Sequence, residues 1–274
     1  MLKQRITTGF LILLIIIGVL RFSHVEWFLC SVIAILSVMS ITELYKATGM
    51  MVKGKKTAYI ITCIFAVLSS YITIPGYEYF TVALFAGVSV LFVVLMKKIK
   101  EKVVLKPWMT ILIGISIVSF YKMMHYIRNT DGGLYYLLFA IAISLITDVM
   151  AFCVGKCIGK HKLSPHISPK KTIEGSVGGT LLAVAVCMVI AYILQRNGLI
   201  EVHYGVLFCY LTLASVVGQF GDLAFSVVKR TVGVKDYSNL LPGHGGVLDR
   251  CDSLIFVLPF TWLFSLRKVP IIIL

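Results

Sequence analysis

The chain has 274 residues, of which 59% are hydrophobic and only 14% charged, and its mean hydropathy is +0.95. Soluble domains are about 45–50% apolar, so this composition excludes one and predicts an all-α integral membrane protein. In that setting a formal net charge of +14 reflects membrane topology and anionic lipid rather than nucleic acid.

Apolar runs near the ~20 residues that cross a bilayer recur at 6–22, 25–42, 57–75, 79–96, 107–125, 133–154, 175–194, 204–224 and 251–266, which predicts about nine transmembrane helices. The first begins with Lys3 and Arg5, as a signal peptide would. Arg21-Phe22-Ser23-His24 follows instead of a small-residue cleavage site, so the run reads as a retained helix. With the N-terminus in the cytoplasm, 20 of the 26 lysines and arginines fall on the inner side. They comprise Lys3 and Arg5 and the cations of the segments 46–56, 97–106, 156–171 and 229–250; Arg21, Lys122, Arg128, Arg196, Arg267 and Lys268 fall outside. That asymmetry predicts an N-in, C-out chain in the cell (inner, cytoplasmic) membrane. The two polar loops 155–174 and 225–250 then face the cytoplasm.

No linker or internal repeat divides the chain. One membrane domain, 1–274, is expected, with 1–130 as scaffold helices and 131–266 as catalytic helices and loops. The first five runs contain almost no ionisable group that would be buried. Seven cysteines lie almost wholly inside apolar runs, and an odd count without paired spacing argues against a disulfide framework. Cys153 and Cys157 share a helix face by spacing and read as buried packing residues, with a metal site as the alternative.

The sixth run carries Asp148, with Ser144 one turn earlier. Beyond it come Gly155-Lys156, Gly159-Lys160-His161-Lys162 and Ser168-Pro169-Lys170-Lys171-Thr172-Ile173-Glu174-Gly175. Ser168 or Thr172 can cap the seventh helix, with Pro169 at its start. Lys170 and Lys171 then stand near a positive helix end, which suits an anion. A positive-inside loop explains the lysines equally well; Glu174 and Asp148 argue for the wall of an active site.

In the eighth run Ser215, Gln219, Asp222, Ser226 and Lys229 recur at steps of four and three, one polar stripe on a helix. A carboxylate at such a boundary needs a cation, so Asp222 is a metal-ligand candidate; an ion pair with Lys229 or Arg230 is the structural alternative. Asp249, Asp252 and Ser253 fall on one face at the start of the ninth helix. There the acids either hold a metal or serve as a cap and a first-turn acid. Oxygen ligands of this kind suit Mg²⁺. Between the acids runs Pro242-Gly243-His244-Gly245-Gly246, which is either a tight turn or a cradle of backbone N–H groups for an anion. His244 can donate to a phosphate oxygen or act as an acid.

Ser226-Val-Val-Lys229-Arg230, Lys235-Asp236, Ser238, Leu241-Pro242, His244-Gly245-Gly246-Val247 and Asp249-Arg250-Cys251-Asp252 together resemble the signature of phosphatidate cytidylyltransferases, also called CDP-diacylglycerol synthases. Ser168 to Gly175, Asp148 and Gly221-Asp222 are similar to that family too. Cys251 departs from the pattern, where a larger apolar residue or threonine is usual. Helix spacing points it away from Asp249 and Asp252.

The resemblance implies the reaction CTP + phosphatidate → CDP-diacylglycerol + pyrophosphate, nine membrane helices, and a metal centre on Asp222 and Asp249. Asp252 and Asp148 are expected in support. Lys229, Arg230, Lys235, Asp236, His244 and Arg250 complete the catalytic set, and Lys170, Lys171, Glu174, Ser226, Gly245 and Gly246 are the expected substrate contacts. Mg²⁺ is the expected cofactor, with a second, monovalent cation as an open addition. CTP, phosphatidate and membrane lipid are the expected partners, with no nucleic acid; a homodimer is left open. A CTP-dependent lipid kinase, a cytidylyltransferase for another lipid, and an ion or anionic-lipid transporter are the competing readings.

The cation asymmetry yields the first prediction. In intact cells, a membrane-impermeant maleimide should leave Lys160→Cys and Ser238→Cys unlabelled in a variant freed of its native cysteines. Efficient labelling of either would reverse the orientation.

Overall fold

The computed structural model describes residues 2–51, 56–99, 105–240, 245–266 and 271–272. Nearly all of them are helical. The helices are α1 (Leu2–Phe22), α2 (Glu26–Ala47), α3 (Lys56–Tyr71), α4 (Tyr77–Lys97), α5 (Pro107–Arg128), α6 (Gly133–Ile158), α7 (Ile173–Arg196), α8 (Tyr204–Thr231) and α9 (Leu248–Ser265). Each coincides with one apolar run of the sequence. Six of them, α2 and α4 to α8, are long and apolar enough to cross a membrane, while α1 and α3 offer the shorter apolar stretches Thr7–Phe22 and Lys56–Tyr71. Large apolar side chains such as Leu14, Ile61, Phe152, Leu181 and Val189 are exposed. Outward apolar faces of this extent belong in lipid, and the chain is a multi-pass membrane protein.

Two elements depart from the sequence reading. First, α8 continues to Thr231, past the end of the apolar run, so the whole polar stripe from Ser215 to Lys229 is helical. Second, Ser168 and Pro169 do not start α7. They lie in β2 (Ser168–Thr172), which pairs antiparallel with β1 (Lys162–Ser164) in a small hairpin that also carries Lys170 and Lys171. Proline favours extended backbone in the residue before it. The helix begins only where the Thr172 hydroxyl accepts the Gly175 N–H at 3.1 Å, a side-chain cap. A second short pair joins β3 (Glu201–Val202) to β4 (Ile271–Ile272).

The helices gather into two compact units, with boundaries inside α5, α8 and α9. One comprises residues 1–125 and 224–252, the other 126–223 and 253–274. In the first unit, Leu29, Ile33, Ile41, Leu44 and Tyr45 of α2 are buried, as are Ile113, Ile117, Phe120 and Tyr121 of α5. Hydroxyl pairs tie α2 to its neighbours: Ser40 to Tyr121 of α5 at 3.2 Å and Tyr45 to Thr62 of α3 at 2.9 Å. Contrary to expectation, the early helices do bury ionisable groups, namely Glu43, Lys122 and His125. The Lys122 ammonium donates to the Ser70 carbonyl at 2.9 Å. A window average over a strongly apolar helix hides a single polar side chain, and each is retained because partners meet it.

In the second unit, α6 and α7 pack backbone to backbone. Gly175 and Gly179 form a Gly-x-x-x-Gly stripe on α7. A Cβ at Gly179 would stand 2.6 Å from the Ala151 Cα and N, and one at Gly175 would stand 2.7 Å from the Ala151 carbonyl. Small residues at such spacing let membrane helices approach closely. Tyr210 and Thr261 bond at 2.8 Å, and Phe220 meets Phe256 edge-on at 5.6 Å, joining the segments of α8 and α9 within this unit. Cys153 and Cys157 are exposed on α6 rather than buried, and all seven cysteines are free. Their four-residue spacing does give a shared face, but an outward one.

The α6–α7 seam yields the second prediction. Gly179→Val should destabilise the fold by about 1–3 kcal/mol or more, the usual cost of overpacking, because backbone cannot move aside as a side chain can. Thermal unfolding in detergent measures it; an unchanged midpoint would show that the seam has slack.

Candidate active site

The polar stripe of α8 faces protein rather than lipid. Ser215, Gln219, Ser226 and Lys229 are all buried. In the second unit the stripe is tied to its neighbours by side-chain hydrogen bonds. Ser215 bonds Thr147 and Thr180, each at 2.9 Å. The Gln219 amide donates to Thr180 at 2.8 Å and accepts from the Ser176 hydroxyl. One turn further along, the Asp222 carboxylate forms an ion pair with Lys171 of β2. The sequence offered Lys229 or Arg230 as its structural partner; the hairpin supplies Lys171 instead. Asp148, exposed on α6, accepts from the Ser253 hydroxyl of α9 at 3.1 and 3.3 Å.

Glu174, in the first turn of α7, accepts from the backbone N–H groups of Lys160 and His161 at 3.1 and 3.2 Å. The His161 ring Nδ1 lies 2.6 Å from its Oε1. Glu174 therefore fastens the start of the hairpin to the helix that follows. His161 was not among the site residues drawn from the sequence.

In the first unit, Asp249 is the centre of a buried cluster. Its Oδ1 accepts from the Lys229 ammonium at 2.8 Å, and its Oδ2 accepts from the Tyr237 N–H at 2.8 Å and the Gly246 N–H at 3.0 Å. The Lys229 ammonium is also 4.0 Å from Asp252 and 5.4 Å from the Tyr237 ring centroid, within cation–π reach. The Tyr237 hydroxyl donates to the Phe225 carbonyl at 3.1 Å. Burial, then the nearby Asp249, Asp252 and Glu43 carboxylates, push it well above the ordinary tyrosine range, so it stays a donor. Gly245 adopts φ +82°, and a Cβ there would lie 3.1 Å from Asp249 Oδ2; both requirements select glycine. Cys251 partners Tyr121, and the Asp252 and Glu43 carboxylates lie close enough to act on its thiol.

Sequence reasoning missed Glu43 of α2. This buried carboxylate accepts from the Ser238 hydroxyl at 2.6 Å and from the Val247 and Leu248 N–H groups at 3.0 and 2.8 Å. A lone acid inside an apolar helix was the available signal. Arg230 and Arg250 are exposed at the ends of their helices, and Lys235 and Asp236 are exposed in the connecting segment. His244 lies outside the described residues.

Carboxylate oxygens are the donor type that a hard cation such as Mg²⁺ takes; Asp249 and Asp252 carry them in the first unit, Asp148 and Asp222 in the second. Within either unit, among the described residues, no three His, Cys, Asp or Glu side chains converge as a ready ligand group; Asp249 and Asp222 each face a lysine instead. Each unit of this polytopic helical protein thus holds one acid–lysine pair, Lys229 with Asp249 in the first and Lys171 with Asp222 in the second.

Residues 3–266 match the Cytidylyltransferase family, and the chain belongs to it. Among its relatives, the phosphatidate cytidylyltransferase of Staphylococcus aureus (strain COL) is 44% identical over 147 residues, 54% of this chain and 53% of that protein. The phosphatidate cytidylyltransferase of Bacillus subtilis (strain 168) is 47% identical over 137 residues, covering 50% and 49%. The chain thus spans about half the length of the curated relatives it matches.

The two acid–lysine pairs yield the third prediction. Asp222→Asn and Asp249→Asn should each lower cytidylyl transfer by ~10²–10³ or more, the range for loss of one preorganised electrostatic element. Size-exclusion behaviour in detergent should stay unchanged. Near-wild-type turnover at limiting Mg²⁺ would remove that residue from the site.

Proposed function

We propose that this chain is a phosphatidate cytidylyltransferase of the cell membrane, with nine spans, an inner N-terminus and its site at the cytoplasmic face. It condenses CTP with phosphatidate to give CDP-diacylglycerol and pyrophosphate. The observation that carries the reading is membership of the Cytidylyltransferase family in a chain that joins Lys229 to Asp249 and Lys171 to Asp222. Family membership speaks for nucleotidyl transfer, against the lipid-kinase and transporter readings.

The chemistry follows from the reactants. A phosphate monoester already carries negative charge near neutral pH, so the nucleophile needs no strong general base. The barrier lies in bringing anions together and in the charge that develops on the departing pyrophosphate. Positioning and fixed electrostatics therefore supply most of the acceleration. Lys229, Arg230, Lys235 and Arg250 would hold phosphate oxygens on one side of the reaction, and Lys170 and Lys171 on the other. Asp222 and Asp249, supported by Asp252 and Asp148, would hold magnesium, which neutralises polyphosphate charge when bound. Ser226, Gly245, Gly246 and Glu174 line or brace the substrates' surroundings, Asp236 stands with the cations of its segment, and His244 donates to a phosphate oxygen.

Transfer is direct, by attack of the phosphatidate phosphate oxygen on the α-phosphorus of CTP as the bond to pyrophosphate breaks. Among the described residues the loops hold cations, acids and glycines, with no nucleophile activated by a paired base as covalent catalysis needs. Purified protein given CTP, Mg²⁺ and phosphatidate should release pyrophosphate and form CDP-diacylglycerol; absence of both products would end the assignment. Labelled pyrophosphate should not exchange into CTP when lipid is rigorously absent. Robust lipid-free exchange, lost in His244→Ala, would instead make His244 a covalent carrier.

A further inference from the structure

We propose that Glu43 is a positioning residue for the cytidylyl transfer inferred above, and this role rests on that reading. It stands on α2, far in sequence from every motif residue, yet it is only 5% exposed and each carboxylate oxygen is engaged. Oε1 accepts from the Ser238 hydroxyl at 2.6 Å and the Val247 N–H at 3.0 Å; Oε2 accepts from the Leu248 N–H at 2.8 Å. The last two are the amides of Val247, just before α9, and of Leu248, its first residue, and such amides have no partner within the helix. A carboxylate there also meets the positive end of the helix dipole.

That same turn positions Asp249. The Gly246 N–H donates to Asp249 Oδ2, while the next two amides donate to Glu43. Two carboxylates thus divide three successive backbone N–H groups between them. The backbone angles at 246–248 that aim Asp249 at Lys229 are the ones that Glu43 holds. Ser238 extends the grip to the segment beside Tyr237, whose own N–H is the third donor to Asp249. Gly246 must be glycine for the same reason, since a Cβ there would run into the Glu43 carboxylate. Glu43 abuts Gly246 but neither of its oxygens bonds a cation assigned to substrate. Its influence passes through Asp249 and Lys229.

The test uses full-length protein in detergent with CTP, phosphatidate and Mg²⁺, read in two ways. Glu43→Gln keeps the shape but turns an amide N–H₂ towards an N–H donor. It should raise KM for CTP at least ~5-fold, a parameter that simple loss of folded protein leaves unmoved. It should also speed tryptic cleavage at Lys235 by ~10-fold as the turn opens locally. Ser238→Ala removes one of the three donors and should shift both readouts the same way by less; it also decides the matter if Glu43→Gln does not fold. Gly246→Ala should match Glu43→Gln in the native background and add nothing in a Glu43→Ala background. Wild-type KM in Glu43→Gln, whatever its cleavage rate, would overturn the proposal, as would Gly246→Ala being equally harmful with and without Glu43. If the unmodified protein makes no CDP-diacylglycerol, the assignment of function fails on its own, and the cleavage rates and the Glu43–Gly246 coupling still decide whether the clamp exists.

Discussion

A carboxylate withdrawn from water must be met by donors, and this requirement organises the polar half of the molecule. The effective penalty for burying an ion is several kcal/mol. Each acid here satisfies it in its own way: Glu43 with backbone amides and a serine, Asp249 with a lysine and two amides, Asp222 with Lys171. Because the donors come from distant parts of the chain, meeting the requirement also folds the loops. The first turn of α9 is held from two sides by acids, and the hairpin before α7 is held by Glu174. Asp249 and Glu174 thereby rest on a frame of backbone hydrogen bonds.

The same arrangement sets the electrostatics. Around Tyr237 stand three carboxylates and the buried ammonium of Lys229, so charge of both signs lies close together in a region poor in water. A polyphosphate with its counter-cation carries the complementary pattern. Exchanging one set of ion partners for another costs less than creating buried charge anew, which is in keeping with the polyphosphate role proposed above. The exposed Arg230, Lys235 and Arg250 surround this cluster in sequence and belong to its solvent side.

Much of this was legible in the sequence, and the gaps have physical reasons. The nine helices among the described residues coincide with the apolar runs, and six of them are long and apolar enough to cross a bilayer. The stripe on α8 was readable since helical periodicity survives a change from apolar to polar residues, although the run itself stops short of Thr231. Glu43 escaped because a single acid near the far end of α2, 17 residues beyond Glu26, carries no motif; its partners lie some two hundred positions away. Lys171 was placed on a helix end for want of any signal that Ser168 to Thr172 would pair as a strand. The exposure of Cys153 and Cys157 was likewise hidden, since spacing shows which residues share a face but not where that face points.

The glycine seam between α6 and α7 bears on how this protein meets bilayers of different thickness. Transmembrane helices adjust to mismatch by tilting or by displacement relative to the membrane, at modest cost. Sliding α7 along α6 by one residue would move the hairpin about 1.5 Å and drive the Ala151 backbone against the next side chain. With Gly175 and Gly179 seated on that backbone, the two helices share one register and must respond as a single body. The hairpin that carries Lys171 precedes α7 directly, so it travels with the α6–α7 pair when the bilayer thickens or thins.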